Sequence, residues 1–126
     1  MRLFSAIVPP ERVRRDVHAT FDLAPRGPRL RWTDPSKLHL TLLFQADVAP
    51  SDLPWVKRSV DAAAAGVGPF DVELHGLGGF PTLERPRVLF VGVSEGGASL
   101  RALHAAQADA LGDRLTDDER RPLHPH

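Results

Sequence analysis

The chain has 126 residues, which is enough for one domain with a hydrophobic core. Its sixteen basic and sixteen acidic side chains cancel, so the net charge does not indicate nucleic-acid binding, and the lack of cysteine excludes disulfides, thiol nucleophiles and cysteine-ligated metals. No apolar run approaches the about 18 residues of a membrane helix, and the N-terminus has no signal-peptide pattern. We therefore expect a soluble, cytoplasmic protein that does not associate with membranes.

The first half of the chain predicts three strands and two helices. A short apolar run ended by a proline pair is typical of a buried strand. Val13, Val17 and Phe21 recur every four residues and would share one face of a helix, and Ser51 is a candidate N-cap for the next helix. The predicted segments are strands at 3–8, 29–32 and 37–44 and helices at 11–23 and 51–65.

The strand predicted at 37–44 carries two polar side chains on one face. The even-numbered apolar residues from Leu38 to Phe44 alternate with His39 and Thr41, so the apolar set would be buried and the polar pair would project from the other face. An imidazole can transfer a proton and a hydroxyl can donate a hydrogen bond to an oxygen, a combination that suits a phosphate ester. The alternative is an amphipathic strand whose outer face is simply polar.

The second half of the chain repeats the order of the first. We expect a strand at 70–77 with Asp71, Glu73 and His75 on its polar side, a glycine-rich loop at 76–81 and an apolar strand at 88–93. A helix at 98–111, a charged turn at 117–121 and the start of a strand at 123–126 follow. His18 and His104 are predicted on helix surfaces. Because each half runs strand, helix, strand, the sequence predicts an α+β protein with antiparallel sheets that face each other across a cleft.

Six segments together resemble one protein family. They are MRLF at 1–4, LRW at 30–32, LHLTLLF at 38–44, LGGFP at 77–81, RPRVLFVGV at 85–93 and PLHPH at 122–126. In order and spacing they resemble the 2H phosphoesterase superfamily, specifically the RNA 2′,3′-cyclic phosphodiesterases of bacteria and archaea, also called 2′-5′ RNA ligases. The resemblance implies one domain over residues 1–126. It consists of two interleaved, pseudo-symmetric lobes of antiparallel sheet, with helices outside and a central cleft.

The family signature is a pair of His-x-Thr/Ser-x motifs, one in each lobe. His39 and Thr41 match the first motif, and His126 matches the first residue of the second. Since the family continues through the second motif into further strands, we expect that the protein is longer than this chain and that the chain is truncated at its C-terminus. After the first motif the family has a Leu-Gly-like pair where this chain has Gln45-Ala46.

The resemblance also implies a reaction. His39 would be the proton donor, His126 the proton acceptor and Thr41 the ligand of a phosphate oxygen, in hydrolysis of 2′,3′-cyclic phosphate ends of RNA or nucleotides to 2′-phosphates. The reverse reaction would be 2′-5′ RNA ligation. No metal or other cofactor is implied, and we expect a monomer. The alternative is a non-catalytic protein that binds RNA ends or nucleotides through an incomplete second motif.

Three further residues are candidates for substrate binding. Arg85 and Arg87 flank a glycine-rich segment and could contact phosphate, and the alternative is ordinary surface charge. Phe44 could stack on a base, and the alternative is a core position. His124 and His126 would give only two metal ligands without a third at motif spacing, so the sequence predicts no metal site.

Overall fold

The computed structural model of the protein describes residues 1–22 and 32–126, which form two antiparallel two-stranded sheets and three α-helices. The predicted α+β class is confirmed. In the described residues, no helix has both the length and the apolar character that crossing a bilayer requires. The elements are β1 (Leu3–Ile7), α1 (Glu11–Phe21), β2 (Leu40–Gln45), α2 (Leu53–Gly66), β3 (Glu73–Phe80), β4 (Val88–Glu95) and α3 (Gly97–Leu111).

The first sheet, β1 with β2, contains a β-bulge. Ser5 is opposite Leu43 and the next residue, Ala6, is opposite Thr41, so Leu42 is an extra residue in β2. An extra residue shifts the side-chain alternation by one position. The bulge therefore changes which residues of β2 share a face beyond Thr41.

The burial of β2 side chains shows the effect of this shift. Leu40, Leu43 and Gln45 are buried, whereas Phe44 is 43% exposed. The simple alternation predicted for 37–44 was therefore wrong after Thr41, because it placed Phe44 in the core and Leu43 outside. Phe44 lies instead on the same face of β2 as Thr41.

Helices α2 and α3 cover the buried face of this sheet. Leu43 packs in one cluster with Ala108, Leu111 and Leu115, and α2 packs along α3. The buried face of α3 also carries two polar residues, His104 and Gln107. The predicted surface position of His104 was wrong, since its side chain is only 7% exposed.

The second sheet, β3 with β4, includes most of the segment that was predicted as a loop. The prediction for 76–81 was wrong because β3 continues to Phe80. Gly78 lies opposite Phe90, and its lack of a Cβ leaves the room that the Phe90 ring occupies. Gly76 adopts a φ of 78° at a register shift, a conformation that favours glycine. Glu73 and His75 are exposed on β3 as predicted, whereas Asp71 lies before the strand, which begins at Glu73 and not at residue 70.

Several element boundaries differ from the sequence prediction. α1 ends at Phe21, and α2 begins at Leu53 after a short 3₁₀ turn that contains Ser51 and has no side-chain cap. The strand predicted at 29–32 falls on residues outside the described ranges except for Trp32, which has no regular structure. Residues 123–126 are likewise assigned to no helix or strand.

Candidate active site

A central cavity of about 390 Å³ lies between α1 and the two sheets. His39, Thr41 and His126, the residues predicted to carry the chemistry, all line it. Most of the remaining wall is aliphatic and comes from α1, β2 and β4. The fold thus brings two imidazoles and a hydroxyl from distant parts of the sequence to one apolar cavity.

The His39 ring is held by a backbone carbonyl and by an aromatic ring. Its Nδ1 lies 2.8 Å from the carbonyl oxygen of Lys37. A carbonyl can only accept a hydrogen bond, so Nδ1 carries the hydrogen and Nε2 is the nitrogen that remains for proton exchange. The ring of Phe4 stacks on the imidazole with centroids 5.0 Å apart.

A capped turn positions the carbonyl that holds His39. One carboxylate oxygen of Asp34 accepts hydrogen bonds from the backbone amide and the hydroxyl of Ser36, at 2.8 and 2.7 Å. These bonds from Ser36 hold the pKa of the Asp34 carboxyl below its usual range. The 3₁₀ turn over Pro35–Lys37 follows directly, and it presents the Lys37 carbonyl to the imidazole two residues later.

His126 has the same local arrangement as His39. Its Nδ1 lies 2.7 Å from the carbonyl oxygen of His124, again two residues earlier in the chain. The rings of Phe80 and Phe90 contact the imidazole, with centroids 5.3 and 5.0 Å away. Both candidate catalytic histidines therefore have Nδ1 bound to the backbone, Nε2 left for proton exchange and an aromatic ring in contact.

Sequence reasoning missed a cation at the cavity. Arg14 of α1 lines the cavity, and no other Lys or Arg among the described residues does so. Its Nη1 donates to the Ser36 carbonyl at 3.2 Å, its Nε is buried without a hydrogen-bond partner, and no carboxylate in the described ranges forms an ion pair with it. The sequence offered one indication of this role, because Arg14 directly follows Val13 and therefore lies at the edge of the apolar face of α1.

The three predicted substrate-binding residues lie around the cavity rather than in its wall. Phe44 is half exposed beside Phe4, its partner across the sheet, and the guanidinium of Arg2 lies 5.9 Å from its ring centroid. Arg87 lines a smaller neighbouring cavity of about 190 Å³ that shares part of its wall with the central one. Arg85 is exposed in the turn between β3 and β4 and lines neither cavity.

Two other histidines, His75 and His104, do not line the cavity. His75 is exposed on β3, and His104 is buried behind β2, where its Nδ1 binds the Leu42 carbonyl oxygen at 2.7 Å. No group of three or more His, Asp or Glu side chains among residues 1–22 and 32–126 is arranged to hold a metal ion. The side chains that line the cavity can transfer protons through the two imidazoles and donate hydrogen bonds from Thr41 and Arg14.

Comparisons with known proteins show the family to which the chain belongs. The family model of the 2′-5′ RNA ligase superfamily matches residues 9–126. The RNA 2′,3′-cyclic phosphodiesterase of Aquifex aeolicus is 36% identical over 93 residues, which cover 74% of this chain and 46% of that protein. The protein of the same name from Thermus thermophilus is 35% identical over 134 aligned positions, which cover 100% of this chain and 66% of that protein.

A third relative, the RNA 2′,3′-cyclic phosphodiesterase of Archaeoglobus fulgidus, is 30% identical over 101 residues and is covered to 56% of its length. The chain thus spans about half to two thirds of the length of these curated relatives. No solved structure matches it. Because the family model covers nearly the whole chain, and the residues of its first motif line the central cavity, the chain belongs to the 2′-5′ RNA ligase superfamily.

Proposed function

We propose that the protein hydrolyses 2′,3′-cyclic phosphate ends of RNA or nucleotides to 2′-phosphomonoesters. The observation that carries the proposal is the shared cavity: His39 and His126 line it together, and each ring has its Nδ1 hydrogen bonded to a backbone carbonyl. In-line hydrolysis needs a base beside the attacking water and an acid beside the leaving oxygen. Two histidines that line one cavity can supply both groups, and each proton transfer typically contributes about 10²–10⁴-fold.

The reaction assigns a different role to each imidazole. Nε2 of His126 takes a proton from water as the water oxygen bonds to phosphorus. The bond between phosphorus and the ribose 3′ oxygen breaks, and protonated Nε2 of His39 donates its proton to that oxygen. The phosphate stays on the 2′ oxygen. If a ribose 5′-hydroxyl takes the place of water, His126 accepts its proton, its oxygen bonds to phosphorus, and the 3′ oxygen leaves with the proton of His39. The product is a 2′-5′ linkage between two RNA ends.

Charge and hydrogen bonding at the phosphate come from two other residues. The Thr41 hydroxyl donates to a non-bridging phosphate oxygen. Arg14 supplies positive charge to the anion, because it lines the cavity, has no carboxylate partner in the described ranges and retains an unbonded Nε–H. A charge-assisted hydrogen bond of this kind is among the stronger polar contacts in proteins.

The nucleotides next to the cyclic phosphate have an aromatic surface available. Phe4 and Phe44 are exposed side by side on the face of the sheet that carries His39. Base stacking on such a ring contributes about 1–3 kcal/mol per base. We assign Phe44 to this role and Arg85 and Arg87 to contacts with the RNA backbone, with the protein acting as a cytoplasmic monomer that needs no metal.

Incubation of the purified protein with 2′,3′-cyclic nucleotides tests the proposal. We expect a 2′-phosphate product, identified by phosphorus NMR, turnover that persists in EDTA and a bell-shaped dependence on pH, because one histidine must be protonated and the other neutral. His39→Ala and His126→Ala should each lower kcat at least about 100-fold. His75→Ala, which removes an exposed histidine that does not line the cavity, should leave kcat unchanged.

Two results would contradict the mechanism. Full activity of His39→Ala would show that His39 is not the general acid. A 3′-phosphate product would show that the bond between phosphorus and the ribose 2′ oxygen is the one that breaks. Tight binding of cyclic nucleotides without turnover by the unaltered protein would favour the alternative, a non-catalytic RNA-end-binding protein.

A further inference from the structure

The β-bulge in β2 is attached to α3 by two buried polar side chains. Nδ1 of His104 donates to the carbonyl oxygen of Leu42, the extra residue of the bulge, at 2.7 Å. On the facing strand the hydroxyl of Ser5 donates to Oε1 of Gln107 at 2.6 Å. Both strands are therefore bound to the same helix at the position where their register shifts.

The polar contacts continue away from the sheet. Nε2 of Gln107 donates to the Ser59 hydroxyl at 3.3 Å, and that hydroxyl donates to the Val56 carbonyl of α2 at 2.6 Å. His104 and Gln107 are 7% and 3% exposed and lie one turn apart on α3. Gln107 makes hydrogen bonds through both atoms of its amide group, whereas His104 makes one through Nδ1 and its Nε2 is buried without a partner. Because a buried polar side chain is unfavourable unless it is hydrogen bonded, these contacts favour one position of the sheet relative to α3.

The bulge determines which side chains face the cavity side of β2. Without the extra residue, Phe44 would lie on the face opposite His39 and Thr41, because side chains alternate along a regular strand. With it, Thr41 and Phe44 share a face, and Phe4, the partner of Phe44, stacks on His39.

We propose that His104 and Gln107 are positioning residues for the candidate active site: they hold the bulge at Leu42 and thereby keep His39, Thr41 and Phe44 on one face. Neither residue touches the cavity, so both act through the backbone of β1 and β2. The inference rests on the proposed function only where catalysis is measured, since the arrangement of the strands can be observed without substrate.

Two substitutions of His104 separate the hydrogen bond from the volume of the side chain. His104→Asn keeps an N–H close to the position of Nδ1, whereas His104→Leu fills similar space without a donor. We expect His104→Leu to lower kcat about 10- to 100-fold, the effect of a small misplacement of catalytic groups, with KM changed less than about threefold. His104→Asn should stay within about threefold of the unaltered protein.

The matched control is Leu100→Val, which perturbs the same buried helix without removing a polar contact. It should lower the melting temperature while leaving kcat unchanged. If His104→Leu does not fold, Ser5→Ala removes the companion bond to Gln107 from the other strand and should show the same pattern to a smaller extent.

A measurement without substrate distinguishes failure of this inference from failure of the proposed function. The nuclear Overhauser effect between the Phe4 and His39 rings should be present in the unaltered protein and in His104→Asn, and weakened in His104→Leu and Ser5→Ala. If the unaltered protein does not hydrolyse cyclic phosphates, the proposed function fails, and this signal still decides the role of His104. The inference would be overturned if His104→Leu left the Overhauser signal and kcat unchanged. It would also be overturned if Leu100→Val lowered both as much as His104→Leu does.

Discussion

At the scale of single residues, Arg14 is the feature of the site that the sequence did not reveal. Arginines are common on the polar faces of helices, and Arg14 is not among the residues, Val13, Val17 and Phe21, whose spacing defines the apolar face of α1. In the folded chain the long side chain reaches the cavity wall, where its Nε is left without a partner. A partly buried cation without a carboxylate partner in the described ranges is suited to an anionic ligand.

We expect Arg14→Gln to weaken catalysis by removing this charge. Loss of a hydrogen bond to a charged group costs about 1.5–3 kcal/mol, which corresponds to a decrease of about 10- to 100-fold in kcat/KM for a cyclic nucleotide. Arg12→Gln, an exposed position on the same helix, is the matched control and should change kcat/KM less than about twofold. Similar losses in the two variants would assign the effect to general surface charge.

The motif residues, by contrast, could be found from the sequence. His39 and Thr41 are separated by one residue in an extended segment, and the spacing of strand side chains places both on one face however the rest of the sheet pairs. His126 was found only through resemblance, because no regular element surrounds it and its contacts with Phe80 and Phe90 depend on the fold. Local geometry was predictable, and contacts over long sequence separation were not.

At the scale of elements, the β3–β4 hairpin shows how glycine misled the sequence reading. Three glycines within four residues predicted a loop, whereas Gly78 and Gly79 continue the strand. They are needed there because side chains at these positions would meet the Phe90 ring and the backbone of the following turn. Glycine is therefore required at these two positions by close packing and not by flexibility. This reason becomes visible only when β3 is paired with β4.

We expect Gly78→Ala to affect the candidate active site through Phe90. The new methyl group would overlap the Phe90 ring, and that ring contacts His126. Overpacking of this kind typically costs about 1–3 kcal/mol, so the melting temperature should fall and kcat should fall with it. Gly68→Ala is the control, since nothing lies within 4 Å of its added methyl.

Chemical denaturation and single-turnover kinetics of both alanine variants test this expectation. A loss of stability in Gly78→Ala with an unchanged rate would show that the Phe90 ring moves without disturbing the histidine. A loss of stability equal to that of Gly68→Ala would show that the surroundings of Gly78 are not close-packed.

At the scale of the whole molecule, one carboxylate connects the two ends of the fold. Glu119 accepts a hydrogen bond from the amide of Ala46, just beyond β2, at 2.8 Å. It also forms a reciprocal capping pair with Thr116, in which each side chain accepts from the other residue's amide, at 3.0 and 3.3 Å. The segment before His126 is thereby attached to the strand that follows His39.

We expect Glu119→Ala to destabilise the protein by about 1–2 kcal/mol, because two backbone amides lose their acceptor. Asp118→Ala is the control: it removes an exposed ion pair with Arg121, and such pairs contribute little. Urea unfolding of the two variants makes the comparison. Equal stabilities would mean that the bond to Ala46 is replaced by water at no cost.

The general architecture could be predicted from the sequence, whereas the set of side chains that share each face of β2 could not. The alternation of strands and helices and the internal duplication predicted the α+β class and the facing sheets. The bulge at Leu42 was not predictable, because it depends on hydrogen bonds donated by His104 and accepted by Gln107, whose partners lie 62 and 102 residues away in the chain. A pattern with a period of two contains no information about an added residue.

The two backbone contacts of the imidazoles have one more consequence. Each carbonyl belongs to the same tripeptide as the ring it binds, so neither tautomer depends on the opposite sheet. A change in the distance between the two rings would therefore leave both tautomers as they are, because each is set within three consecutive residues.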